Sequence, residues 1–296
     1  MKGLLKYCML VGLILLVCCQ QVNKDPLKKD IEEYNSKEEH KRDEILKEIY
    51  HRFPSPEEML AFIDKETVEV DKLLLNNPGK SMQYLDSRSQ ALNLGVYIAD
   101  LAYLTLFEQH KESFSYFEAI FNLSEKLRIS AAFDLTMLKR VQNNVTNPDS
   151  LSSLTEYAFT EITNYLVSND KEKTFAIVSL GGFIEALYLS INLVDEFSEN
   201  NQIVQRIVDQ KLVLDNLLAY SQVLSDDDAV ASAIELISPI QKVYSNIVAR
   251  PNETKVSRSA DGRIIISGGD KLVINRQQFT ELSKVTMGVR NKIIQN

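Results

Sequence analysis

The sequence predicts an all-α protein, an antiparallel multi-helix bundle with a small β-hairpin just before its last helix; a curved helical-hairpin solenoid is the alternative arrangement. Three observations carry this prediction. Two long segments, Leu92–Phe107 and Thr174–Val194, are apolar almost all round, the pattern of helices buried on most sides. Helix start and stop signals punctuate the chain at Ser55-Pro56, Asn76-Asn77-Pro78-Gly79, Asn147-Pro148 and Ser225-Asp226-Asp227-Asp228. Strand signals are confined to one stretch after Arg250-Pro251. The expected helices are longer than those of a tetratricopeptide unit, and no period of roughly 34 residues appears.

The first segment is a leader, MKGLLKYCMLVGLILLVCC. Lys2 and Lys6 precede an apolar run from Tyr7 to Val17, the layout of a secretory signal. The run is too short for a spanning helix, which needs about 20 apolar residues. Leu16-Val17-Cys18-Cys19 resembles a bacterial lipobox. On that reading residues 1–18 are a lipoprotein signal peptide, and Cys19 receives the lipid, palmitate included. An ordinary cleaved signal or an uncut anchor are the alternatives. Cys18 is the poorer target, because bulky Val17 would then occupy the cleavage position. Several acyl chains hold a protein to a bilayer at about 0.8 kcal/mol per buried methylene. The expected location is the bacterial cell envelope, lipid-anchored, on the outer membrane.

The cysteines are Cys8, Cys18 and Cys19, so a chain cut before Cys19 keeps only the thiol that carries lipid. Disulfides, a thiolate zinc site and a cysteine nucleophile are not expected in its body. The formal net charge of −8 becomes −10 once Lys2 and Lys6 leave with the leader. With no basic cluster, nucleic acid is not expected as a partner.

Residues 19–46 form a polar tether and first helix of mixed charge, and residues 47–296 the helical domain. Glu48 and His51 make an E-x-x-H, but a di-iron bundle needs two copies and two further glutamates. Ser55-Pro56-Glu57-Glu58 starts a helix with a capping box, expected to run through Met59, Ile63 and Val70 to Leu75.

Phe53-Pro54-Ser55-Pro56-Glu57-Glu58-Met59 and Leu92-Asn93-Leu94-Gly95-Val96-Tyr97-Ile98-Ala99-Asp100-Leu101-Ala102-Tyr103, with Tyr116-Phe117-Glu118-Ala119 and Gly181-Gly182-Phe183-Ile184-Glu185-Ala186-Leu187-Tyr188, resemble helical envelope lipoproteins of Bacteroidota. The resemblance covers most of the mature chain. It implies export and a helical fold, and it brings no catalytic residues.

On the first apolar helix Asn93, Tyr97 and Asp100 fall at i, i+4 and i+7, one stripe. On the second, Glu185, Tyr188 and Asn192 fall at i, i+3 and i+7. Gly181-Gly182 strips the helix of side chains one turn earlier, admitting another backbone at about 1 kcal/mol of propensity per glycine. The two stripes have two readings. They line a shared cavity for a cation or polar ligand, or they form a hydrogen-bonded network that fixes helix register. Buried carboxylates must be paired or shift their pKa, and such networks are ordinary in helical cores.

Elsewhere Phe114–Leu127 reads as an amphipathic helix with Phe114, Phe117, Phe121 and Leu127 inward, and 134–141 and Asn147 onward as further helices. Asn122, Asn144 and Asn252 begin N-glycosylation matches, and Asp149-Ser150-Leu151 resembles a bacterial O-glycosylation signal. In a bacterial lipoprotein the asparagine matches weigh little, and first-turn helix chemistry accounts for Asp149. Asn201–Val223 and Ala229–Val248 complete the bundle. The triple aspartate between them lacks EF-hand spacing, so Ser225 as cap with acids in the first turn explains it, and no metal site is expected. Asp261-Gly262 and Gly268-Gly269 mark turns around Arg263–Ser267 and Lys271–Ile274, giving a hairpin over 256–274. Such a hairpin is marginal alone and must lean on the helices or add to a partner's sheet. The final helix, 276–295, is capped from Asn275 and turns Phe279, Leu282, Val285, Val289 and Ile293 inward.

No G-x-S-x-G, H-E-x-x-H or phosphate loop occurs, so the sequence points to no catalytic residue and no cofactor. The expected function is a non-catalytic envelope lipoprotein with a structural or interaction role. Its partners would be the membrane, through the N-terminal lipid, and other envelope proteins. The alternative is a small-ligand or cation-binding lipoprotein using Asp100, Glu185 and their stripes.

Overall fold

The computed structural model describes residue 46 and residues 54–63, 68–132, 159–251 and 269–295, with the backbone alone at 255–258 and 264–267. The leader with Cys19, the polar stretch after it, the E-x-x-H, the segments at 134–141 and after Asn147, and the motifs at Asn144, Asp149 and Asn252 lie outside these residues. The chain divides into two units, Met1–Lys47 and Glu48–Asn296. The fold below is that of the second unit.

Among the described residues its helices are α1 (Pro56–Leu60), α2 (Ser87–Leu106), α3 (His110–Lys126), α4 (Glu172–Asn192), α5 (Gln202–Val223), α6 (Asp228–Ser245) and α7 (Arg276–Gln295). Residues 159–168 are also helical. Short 3₁₀ turns occupy Lys72–Leu74, Pro78–Lys80 and Ser130–Ala132. The protein is an all-α bundle with a small β-hairpin before its last helix.

Helices α2 and α4 sit in the middle because their sequences leave no polar face to give to water. Sixteen residues of α2, Ser89 through Leu104, are buried without a break. α4 is long and apolar enough to cross a membrane, yet 83% of its most apolar window is buried inside the protein, as in a core helix. The two pack along one another, and α1, α6 and α7 contact both. α3 lies on α2, α5 lies on α4, and α6 bridges α5 and α7. A solenoid would confine each helix pair to its neighbours; a shared central pair makes this a bundle.

Glycine sets the spacing of that pair. A Cβ on Gly95 would fall 2.0 Å from the Val178 carbonyl oxygen and 2.5 Å from the Gly182 nitrogen. One on Gly181 would fall 2.1 Å from the Leu92 carbonyl oxygen. The expected close approach at Gly181-Gly182 is therefore present, and Gly95 supplies its other half.

The helix ends follow local chemistry. Ser55 and Glu58 form the expected capping box on α1. Asp86 caps α2, Asn201 caps α5, and Asn275 exchanges hydrogen bonds with Gln278 at the start of α7. At α6 the cap is Asp227, which accepts from the Ala229 and Val230 amides, rather than Ser225.

Three expectations are corrected. The helix begun at Ser55 stops at Leu60, and residues 71–80 form 3₁₀ turns and extended links. Backbone groups of Leu74 and Asn76 are taken up by buried side chains, as described below, and a continuous helix would withdraw them. The buried face of α3 centres on Tyr116, Ile120 and Leu123, with Phe114 and Phe121 at its margins. Buried Ser113 and Ser124 return their hydroxyls to the Gln109 and Ile120 carbonyls, so this thin polar side can lie close to α2. The third concerns strand pairing. Ile264–Ser267 (β3) pairs with Lys255–Arg258 (β2), and Lys271–Val273 (β4) pairs with Val248–Arg250 (β1), both antiparallel. Arg250 faces Lys271 and Lys255 faces Ser267. The antiparallel pairing thus begins at Val248, before the expected 256–274. The base of the hairpin leans on α5, where Gln205 Nε2 donates to the Leu272 carbonyl at 3.3 Å.

Candidate functional site

The two carboxylates picked out by the stripes meet. Asp100 on α2 and Glu185 on α4 are fully buried, and the charge of Glu185 acts on Asp100. A third residue, Arg290 from α7, closes on Glu185 with a two-pronged fork: Nε to Oε2 at 2.9 Å and Nη2 to Oε1 at 2.9 Å. This geometry uses the planar guanidinium as a lysine could not. Nη2 also donates to the Leu74 carbonyl at 2.6 Å, and the guanidinium carbon lies 4.4 Å from the centre of the Tyr188 ring. Arg290 is 6% exposed.

The cluster continues along α2. Asp100 Oδ2 accepts from the Asn76 amide at 3.1 Å. The Asn76 side chain donates to the Tyr84 hydroxyl at 3.0 Å and to Asn93 Oδ1 at 3.3 Å. Asn93 Nδ2 donates to the carbonyls of Ser89 and of Ile293, the latter on α7. Tyr97 donates to the Asn77 carbonyl at 2.8 Å, and its ring stands edge-on to Tyr116. One network therefore ties α2, α4, α7 and the linking residues 74–77. Asn192 lies apart: it is exposed, and its side chain donates along its own helix to the Tyr188 carbonyl.

Burial sets the charge state. It pushes the Asp100 pKa well above the ordinary carboxylate range, and the negative charge of Glu185 pushes it further, against a weaker opposing pull from Arg290. Burial also raises Glu185, opposed by Arg290. Burial alone would lower the Arg290 pKa, but the Glu185 carboxylate reverses the shift and holds it above its usual value. Two acids beside one guanidinium reach neutrality with one proton shared between them. Asp100 Oδ1 is buried and has no hydrogen-bond partner. Tyr84, Tyr97, Tyr116 and Tyr188 are all raised by burial, and their phenols stay protonated at neutral pH.

Chemically this is a neutralised ion-pair cluster inside a core. Among the described residues no group of three or more His, Cys, Asp or Glu side chains is arranged to hold a metal. A cavity of about 250 Å³ lies elsewhere, against Met59, Ile98, Phe175 and Phe183, and none of the network residues is among its described lining.

Sequence reasoning brought Asp100, Glu185, Asn93, Tyr97 and Tyr188 to attention and missed Arg290, Asn76 and Tyr84. Arg290 had a signal. It stands four residues after Thr286 and three before Ile293, within the buried stripe of α7. A guanidinium in an inward stripe announces a buried acid elsewhere. Asn76 read as a helix terminator, and nothing local marks Tyr84.

Comparison with protein-family models, with curated proteins and with solved structures finds no match to this chain.

Proposed function

We propose that the protein is a non-catalytic lipoprotein of the bacterial cell envelope, anchored through lipid on Cys19 at the outer membrane, with a structural or interaction role. The observation that carries this reading is the leader, a basic start and an apolar run ending in Leu16-Val17-Cys18-Cys19. The geometry of the polar cluster supports the non-catalytic part. Glu185 is held in a fork by Arg290, Asp100 accepts from the Asn76 amide, and both are fully buried. A general base must reach the proton it removes, and these groups face each other. An interaction role is supported by the stretch before α2, which leaves Leu73, Met82 and Leu85 exposed at 93%, 61% and 85%.

The test is labelling of cells with an alkynyl palmitate, followed by membrane fractionation of the wild type and Cys19→Ala. The reading expects a labelled wild type in the outer-membrane fraction and loss of label in the variant. Equal labelling of the two, or an unlabelled wild type in the cytosol, contradicts it. For the interaction role, a photo-crosslinking side chain in place of Leu73 or Leu85 should trap an envelope protein in intact cells, and the absence of any adduct at both positions counts against it.

A further inference from the structure

The cavity of about 250 Å³ is bounded by α1, α2, the helical residues 159–168, α4 and α5. Its depth is apolar. Met59, Ile98, Leu166, Phe175, Phe183 and Leu217 come from five different segments, and all are buried. The described lining contains no Asp, Glu, Lys, Arg or His, and its side-chain polar groups are the hydroxyls of Thr160, Thr163 and Ser179. The Thr163 hydroxyl is committed to the Phe159 carbonyl of its own helix at 2.7 Å. Pro54, Thr160, Ser179 and Val213 are the more exposed part of the lining and mark the mouth.

We propose that this cavity is a binding site for a single unbranched hydrocarbon chain of medium length, as carried by a fatty acid or a monoacylglycerol. Cavities lined by apolar side chains stay dry and accept apolar guests. A polar metabolite would find no charged partner on the described wall, and ligand pockets for such molecules place a few polar groups to orient them. Size narrows the guest further. The space, about 250 Å³, is below the roughly 300–1,000 Å³ usual for pockets of drug-sized ligands. That suits one chain and is too small for a sterol nucleus or a two-chain lipid. The half-exposed mouth leaves the polar head in water, so the chain is what the site reads. The site shares no described residue with the Asp100–Glu185–Arg290 cluster, and it stands whether or not Cys19 carries lipid.

The test is photolabelling of the full chain in membranes with decanoic acid bearing a diazirine, followed by peptide mapping. Adducts are expected within 159–183 and at Met59, suppressed at least fivefold by excess decanoic acid and equally by uncharged monodecanoylglycerol. A sterol should not compete. Ser179→Phe and Val213→Phe, which place a ring at the mouth, should each reduce these adducts at least fivefold, while adducts elsewhere on the chain persist and the melting temperature stays within a few degrees of the wild type. Two variants are used so that misfolding of one leaves the other decisive. Adducts confined to other regions, competition by the sterol or by the acid alone, or undiminished labelling in a folded variant would each overturn the proposal.

Discussion

Removing Arg290 should cost more than removing any other charged side chain of the described core. In Arg290→Met, Glu185 loses both prongs of its fork, the Leu74 carbonyl loses its 2.6 Å donor, and Tyr188 loses the cation above its ring. A buried carbonyl without a partner costs about 1–3 kcal/mol, and a partly desolvated cation–π contact contributes about 0.5–2 kcal/mol. Breaking a buried ion pair from one side costs about 3–5 kcal/mol in all. These losses overlap, and protonation of Glu185 limits the largest, so the expected total is about 3–5 kcal/mol. A domain of this size shifts by about 2–4 °C per kcal/mol, which makes the drop in Tm on the order of 10 °C. Replacing both partners, in Glu185→Leu with Arg290→Met, removes the uncompensated charge, and such exchanges are often neutral or better. The double variant should therefore recover most of the loss. Denaturant melts of the four proteins in the cycle measure it. A single-variant loss below about 1 kcal/mol, or a double variant as unstable as the sum of the singles, would refute the pairing.

Asp100→Asn should preserve the fold, since its oxygen can still accept from the Asn76 amide. The sign of its pH effect follows from a raised folded pKa. The contribution of Asp100 is fully present below about pH 4, the unfolded value, and is lost as pH rises toward and through the folded value. The wild type should lose stability relative to Asp100→Asn across that window, as pH-dependent melts will record; parallel curves would contradict the shared proton. Gly95→Ala forces a methyl to within 2.0 Å of a carbonyl oxygen and should destabilise by about 1–3 kcal/mol or more. Gly288→Ala on α7 meets nothing within 4 Å and should stabilise by about 0.5–1 kcal/mol, so thermal melts of the two should shift in opposite directions. Asp227→Ala should cost about 1 kcal/mol by removing the acceptor for two amides at the start of α6.

The parts of the fold that were legible in the sequence are those where one local pattern decides. The all-apolar runs of α2 and α4 leave burial as their one stable setting, and Gly181-Gly182 announces a backbone close by. The Asn275–Gln278 box marks the start of α7 for the same reason. The rest was settled by groups far apart in the chain. Arg290 and Leu74 are 216 positions apart, and that hydrogen bond, with the one from Asn76 to Asp100, holds residues 74–76 out of the helix their local sequence favours. Strand pairing failed similarly. Gly268-Gly269 reads as a tight turn, but Lys271–Val273 finds its partner at Val248–Arg250, beyond the inner ladder. At the candidate site the stripes identified both carboxylates and could not say whether they faced a cavity or each other. The answer depends on a cation from the last helix.

The most direct test of the account is the mass of the amino-terminal peptide of the chain isolated from bacterial membranes. The account predicts a peptide that begins at Cys19, carries acyl groups on its thiol and amino group, and lacks residues 1–18. A peptide that begins at Met1 with an unmodified Cys19 would contradict it.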